Sequence, residues 1–274
     1  MSKKLLFQSD DYGITDAVTD GIIHGIRNGV IRNTGIFINM DSTARAVHVI
    51  RDIKKVCLGI DINYVCGKPV SDPSLIPDLV DKDGCFISSR ELLKKNRIVS
   101  MEKDIIYHFE KDPYPFEQIY LETENQVKKF ISMTGKLPRY LHPHSICTPN
   151  SEKAAADVAK KYGIFHSTDM MFSSQYVRLP GAINNTKGAT LESQMDIDVE
   201  KNLLETALPI LKEGDIGYFI CHCGYIDYDL FKYSSLTLRR AVDLYAAASK
   251  KVSDYINEND IELITYDDLS KLEI

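Results

Sequence analysis

The chain has 274 residues, 44% of them hydrophobic and 26% charged, with a formal net charge of -6. That composition suits a soluble globular protein of one large α/β domain or two small ones. Acids and bases are interspersed, so the basic stripe of a nucleic-acid binder is missing, and no apolar stretch reaches the length of a membrane span.

The first element expected is a strand over Lys4 to Gln8, followed by Ser9-Asp10-Asp11-Tyr12-Gly13 and a helix from Ile14 to Asn28 with Thr15 as its cap. Two adjacent carboxylates at a strand end repel one another. They suit either a solvated turn or a site where one carboxylate ligates a metal and the other acts as a base. A second strand is expected over Gly35 to Met40, a helix from Asp41-Ser42 through Ile53, and a third strand over Val56 to Tyr64. This alternation is that of parallel βαβ units.

From Val65 to about Ser100 the pattern breaks at Pro69, Pro73, Pro77 and Asp83-Gly84, which marks a long connection. Short helices are expected over Glu91 to Asn96 and Met101 to Phe109, then a strong amphipathic helix from Phe116 to Thr134 closed by Gly135. Arg139 to His144 reads as a strand ending in two histidines, Asn150 as the cap of a helix to Tyr162, and Ile164 to Ser167 as a strand. After a poorly patterned stretch come a helix over Asp196 to Lys212, a strand over Gly217 to His222, a long helix from Ser235 to Asn257 and a last strand at Ile261 to Ile264. The total is about seven strands alternating with helices. The expected fold is one irregular TIM-like (β/α) barrel domain over residues 1–274, with a doubly wound open sheet as the alternative.

Asp10, Asp11, His142, His144 and His222 fall at or near the carboxyl ends of these strands, and Asp61 sits inside an apolar run where an unpaired charge is costly. In a (β/α) barrel that end carries the active site. Carboxylate oxygens and imidazole nitrogens suit Zn, or Mg and Mn where carboxylates dominate. Each residue alone also has a structural explanation, such as a pairing for Asp61 or a satisfied core position for His142. The role of His166 is open, and His24, His48 and His108 lie in expected helices. The six cysteines form no CxxC pair, and the amino-terminal apolar run Leu5-Leu6-Phe7 is short for a signal peptide, so the expectation is a cytoplasmic protein with reduced thiols.

These motifs together resemble the YdjC-like carbohydrate deacetylases, whose best-known members are chitooligosaccharide deacetylases. The resemblance runs along nearly the whole chain, through Asp10-Asp11-Tyr12-Gly13, Gly29-Val30-Ile31-Arg32-Asn33-Thr34, Asn39 and Leu58-Gly59-Ile60-Asp61-Ile62. It continues with Gly67-Lys68-Pro69, Pro73-Ser74-Leu75, Asp83-Gly84, Glu122 with Gln126, His142-Pro143-His144-Ser145-Ile146 and Cys221-His222-Cys223-Gly224. It implies a TIM-like barrel holding one divalent metal ion, Mg or Zn, on Asp11, Asp61 and His144, with His142 as a supporting residue behind them. It further implies Asp10 as general base, His222 as proton donor to the leaving amine, a sugar or oligosaccharide substrate, and a homodimer. Tyr12, Asn39, Tyr64 and Arg178 are the expected sugar-site residues.

Two departures from the family pattern stand out. Asp61 replaces a histidine, which makes the expected site more anionic, and His142-Pro143-His144 replaces Asp-Ser-His, with Ile146 where a second histidine is usual. Alternatives to a metal-dependent deacetylase are another metal-dependent hydrolase such as a phosphoesterase, with a second metal on His142 or His166, and a catalytically silent sugar-binding protein.

Overall fold

A computed structural model describes residues 2–181 and 190–269. In chain order its elements are β1 (Lys3–Tyr12), α1 (Asp16–Asn28), β2 (Asn33–Ile36), α2 (Thr43–Ile50), β3 (Cys57–Ile62), α3 (Ser89–Lys95), β4 (Ile98–Glu102), β5 (Ile106–Phe109), α4 (Phe116–Thr134), β6 (Tyr140–Pro143), α5 (Pro149–Tyr162), β7 (Phe165–His166) and α6 (Ser167–Phe172). They continue with β8 (Tyr176–Arg178), α7 (Leu191–Met195), α8 (Val199–Asn202), β9 (Ile216–Cys221), α9 (Leu230–Tyr233), α10 (Leu238–Ala247), α11 (Lys250–Glu258), β10 (Ile261–Ile264) and α12 (Tyr266–Leu269).

The chain divides into two compact units, one from the described parts of residues 1–36, 42–58 and 173–274, the other from Phe37–Asp41 and Gly59–Phe172. In the first, β1 is the central strand. On one side it pairs in parallel with β9, from Lys4 opposite Ile216 to Ser9 opposite Cys221. On the other it pairs with β10 over Lys3 to Leu6 and then with β2 from Gln8 to Tyr12. β8 extends this sheet beyond β9. Leu5, Leu6 and Phe7 are buried, as a near-continuous apolar run in a parallel strand covered on both faces should be. α1 covers the sheet with Val18, Ile22 and Ile26. Its N-terminus is capped by Thr15, whose hydroxyl accepts from the Val18 N–H at 3.2 Å.

In the second unit β6 lies between β3 and β7, again in parallel, with Asp61 directly opposite His142. Gly59 is required there because a Cβ would come within 2.5 Å of the Tyr140 ring. α4 and α5 pack beside one another, α5 presenting the small buried residues Ala154, Ala155, Val158 and Ala159. Gly135 ends α4 in the left-handed conformation at φ 68°.

The α/β class read from the sequence is the class observed, and several elements differ from expectation. Residues expected as a helix from Met101 form instead the antiparallel β4–β5 hairpin. α5 is capped by Thr148 and not Asn150, with Pro149 at the first helical position and a reciprocal bond between Thr148 and Ser151. The helix expected from Asp196 to Lys212 is α8 followed by a π turn and a short 3-10 turn at Leu208–Ile210, where Pro209 cannot supply an N–H. The helix expected from Ser235 to Asn257 is split into α10 and α11, because Ser249 starts a new helix by accepting from the Lys251 N–H at 3.1 Å. No helix among the described residues is long and apolar enough to cross a membrane.

Candidate active site

β1 runs through Ser9, Asp10 and Asp11, so both carboxylates belong to the strand itself and are buried. The β1–β2 register shifts between Ser9 and Tyr12, and Asp11 has φ 68°. Aspartate is one of the few side chains that tolerates the left-handed region. Such an irregularity at a strand end redirects side chains that a regular pleat would send to alternating faces.

Asp10 and Asp11 then find different surroundings. Asp10 Oδ1 accepts from Gln8 Nε2 at 2.6 Å, and Asp10 Oδ2 faces His222 Nε2 at 3.9 Å. Asp11 Oδ2 accepts from Arg240 NH2 at 2.6 Å, and both side chains are only 1% exposed. Arg240 is held in turn by the Leu236 carbonyl at 2.8 Å and Ser234 Oγ at 3.3 Å. The guanidinium offsets much of the repulsion between the neighbouring carboxylates, because an opposite charge at contact distance favours the ionised form.

His222 stands just beyond β9, with 35% of its side chain exposed. Its backbone N–H donates to Asp243 Oδ2 at 3.0 Å, and Asp243 Oδ1 accepts from Arg239 Nε at 2.6 Å. Cys223 N–H donates to Ser9 Oγ at 2.9 Å. The histidine backbone is therefore fixed from both sides while the ring remains accessible. Cys221 and Cys223 bracket it as buried thiols with Sγ atoms 3.6 Å apart, and burial pushes the Cys221 thiol well above its ordinary pKa.

The remaining candidates lie in the second unit, apart from Tyr12 and Arg178. Asp61 is fully buried on β3. His142, opposite it on β6, shares a hydrogen bond between Nδ1 and Ser167 Oγ at 2.7 Å. His144 is half-buried, lies edge-on to Phe37 with ring centroids 4.6 Å apart, and donates its backbone N–H to the Ile62 carbonyl at 3.3 Å. Asn39 Nδ2 donates to the carbonyls of Cys66 and Lys68 at 3.1 and 2.9 Å, anchoring the chain after β3. Tyr64 is buried against Phe86 and Tyr114 and its hydroxyl bonds Thr123, so burial raises its phenol well above the usual range. Tyr12, in the first unit, is also buried, and its hydroxyl donates to the Ala46 carbonyl at 2.8 Å. Arg178, on β8, is exposed.

His166 lies between Glu152 Oε1 at 3.5 Å and Asp169 Oδ1 at 3.6 Å. Among the described residues, no three His, Cys, Asp or Glu side chains stand together as a metal-holding group. By type, Asp11, Asp61 and His144 remain suitable donors for a divalent ion, and an arginine on one oxygen of a ligating carboxylate is a common outer partner. The sequence does not single out Gln8, Arg240, Asp243 or Tyr266. The Arg239–Asp243 spacing of four residues and the Gln8–Asp10 spacing of two were the signals available.

The chain matches the family described as YdjC-like protein over residues 4–258. A carbohydrate deacetylase of Clostridium beijerinckii is 27% identical over 271 residues, covering 97% of this chain and 100% of that protein. One of Thermoanaerobacter pseudethanolicus is 27% identical over 266 residues, covering 96% and 98%. A crystal structure from Enterococcus faecalis V583, assigned provisionally to cellobiose-phosphate cleavage, superposes with a TM-score of 0.70 at 22% identity, covering 98% of this chain and 99% of that one. That likeness supports the α/β fold, and the match along nearly the whole length places the chain in the YdjC-like family.

Proposed function

We propose that the chain is a metal-dependent carbohydrate deacetylase that hydrolyses the acetamide of an N-acetylated sugar or oligosaccharide. The observation that carries this reading is the Asp10–His222 pair. It sets a buried carboxylate, fixed through one oxygen, 3.9 Å from an accessible imidazole nitrogen on the neighbouring strand end. A base and an acid side by side are what amide hydrolysis requires, since water must lose a proton and the amine must gain one. The curated relatives named carbohydrate deacetylases point to the same chemistry.

Asp10 takes a proton from water as its oxygen adds to the acetyl carbonyl carbon. The C–N bond then breaks, His222 gives a proton to the departing sugar amine, and acetate is the second product. Asp11 and Arg240 form a fixed ion pair beside the base and keep the local charge balanced. Asp11, Asp61 and His144 are each a suitable donor type for a divalent ion, a role that membership of the family suggests for each of them separately. When bound, such an ion would polarise the acetyl carbonyl and lower the pKa of a water.

Acetate release from N,N′-diacetylchitobiose, measured together with the metal content of the purified protein and of Asp11→Ala and Asp61→Ala, tests the proposal. The expected result is acetate release with one metal per chain, lost in both variants. Metal without acetate release from any N-acetylated sugar would overturn the substrate class, and turnover that survives full chelation would overturn the metal dependence.

A further inference from the structure

Gln8 is fully buried two residues before Asp10 on β1. Residues two apart on a strand share a face. Its Nε2 donates to Asp10 Oδ1 at 2.6 Å, and its Oε1 accepts from the Tyr266 hydroxyl at 2.7 Å. Tyr266 opens α12 directly after β10, and it too is buried. Its backbone N–H donates to Asn33 Oδ1 at 3.1 Å, while Asn33 Nδ2 donates to the carbonyls of Phe7 and Ile264 at 3.3 and 3.1 Å. The chain from Tyr266 through Gln8 to Asp10 is thus anchored to three strands.

The polarity of the Gln8 amide is fixed. Turned over, it would set its carbonyl oxygen against the Asp10 carboxylate, two acceptors at contact distance. A buried amide with both ends satisfied does not rotate freely, since each lost bond leaves a desolvated polar group. A hydrogen bond to one oxygen restrains the plane of a carboxylate, and with it the direction of the other oxygen. Asp10 Oδ2 is the oxygen that faces His222.

We propose that Gln8 and Tyr266 are positioning residues for the reaction: Tyr266 orients the Gln8 amide, and Gln8 aims the Asp10 carboxylate at the water it deprotonates. This rests on the reading of Asp10 as the base. Both side chains are buried, so their loss acts on the chemical step and not on binding. A misplacement of about 1 Å in a reacting group costs on the order of 100-fold in rate.

The test compares steady-state kinetics of acetate release for the wild type, Gln8→Met, Tyr266→Phe and the double variant, with crystal structures of the two singles. Methionine preserves the length of glutamine and phenylalanine keeps the ring, so both cores stay filled. The expected result for Gln8→Met is a fall in kcat of about 10- to 100-fold with KM within about twofold. Tyr266→Phe should lose less, and the double variant should be no slower than Gln8→Met, because the two act in one line. In the Gln8→Met structure the Asp10 carboxylate should be rotated away from its wild-type plane. An unchanged kcat in Gln8→Met, multiplicative losses in the double variant, or an Asp10 carboxylate that keeps its plane would each overturn the inference. Should the wild type release no acetate, the deacetylase reading falls, and the orientation of Asp10 in Gln8→Met still decides the positioning claim.

Discussion

Removing Arg240 should destabilise the protein more than almost any other single polar change. The guanidinium and the Asp11 carboxylate are 2.6 Å apart, with each side chain only 1% exposed, so neither charge can recover hydration if the other is lost. Breaking a buried pair by deleting one partner costs about 3–5 kcal/mol, whereas deleting both can be nearly neutral. Arg240→Met fills most of the vacated space and also forfeits the bonds to Leu236 and Ser234. The expected loss is about 4 kcal/mol in urea unfolding at neutral pH with a chelator present, which keeps any divalent ion from taking the place of the guanidinium. Asp11→Asn should lose a similar amount, and the double variant no more than either single, giving a coupling energy of about 3 kcal/mol or greater. A loss below about 1 kcal/mol for Arg240→Met, or additive losses in the double variant, would show that the pair is not the buried ion pair described here.

Three further outcomes follow from other parts of the molecule. A Cβ on Gly21 of α1 would come within 2.4 Å of the Tyr225 nitrogen and 2.6 Å of the Gly224 carbonyl carbon. Gly21→Ala should therefore displace the segment after His222, cost about 1–3 kcal/mol and lower kcat, as thermal melts and kinetics would report. Lys128 and Lys161 hold the Glu124 carboxyl at about 2, below its ordinary 4.5. Because the folded value is the lower one, its stabilisation is full above the unfolded value and is lost as pH falls from about 5 towards 2. After allowance for the half-exposed lysines, Glu124→Gln should narrow the stability difference between pH 6 and pH 3 by about 1 kcal/mol, and an unchanged difference would refute the pairing. Among the six cysteines only Cys85 is partly exposed, so a thiol reagent should titrate about one group rapidly in the native state and the rest in denaturant.

The chemistry-bearing strand ends were legible in the sequence because parallel strands leave plain apolar runs. Leu5-Leu6-Phe7 and Gly217 to Cys221 announced β1 and β9, and with them the neighbourhood of Asp10 and His222. The left-handed backbone at Asp11 left no such trace, since aspartate is acceptable in either backbone region. The β4–β5 hairpin was hidden for a related reason. Its two turn residues, Lys103 and Asp104, have φ values of 46° and 59°, a conformation normally signalled by Asn-Gly or Asp-Gly. Arg240 and Tyr266 were illegible as partners because their contacts with Asp11 and Gln8 span 229 and 258 residues of chain. Sequence spacing carries no record of such contacts.

The claim at the centre of this account is that Asp10 acts as the base in amide hydrolysis. It is tested most directly by measuring acetate release from N,N′-diacetylchitobiose by the wild type and by Asp10→Asn, an exchange that keeps the shape of the side chain. The account predicts release by the wild type and none above background by Asp10→Asn, with both proteins equally stable to urea. Undiminished release by Asp10→Asn would contradict it.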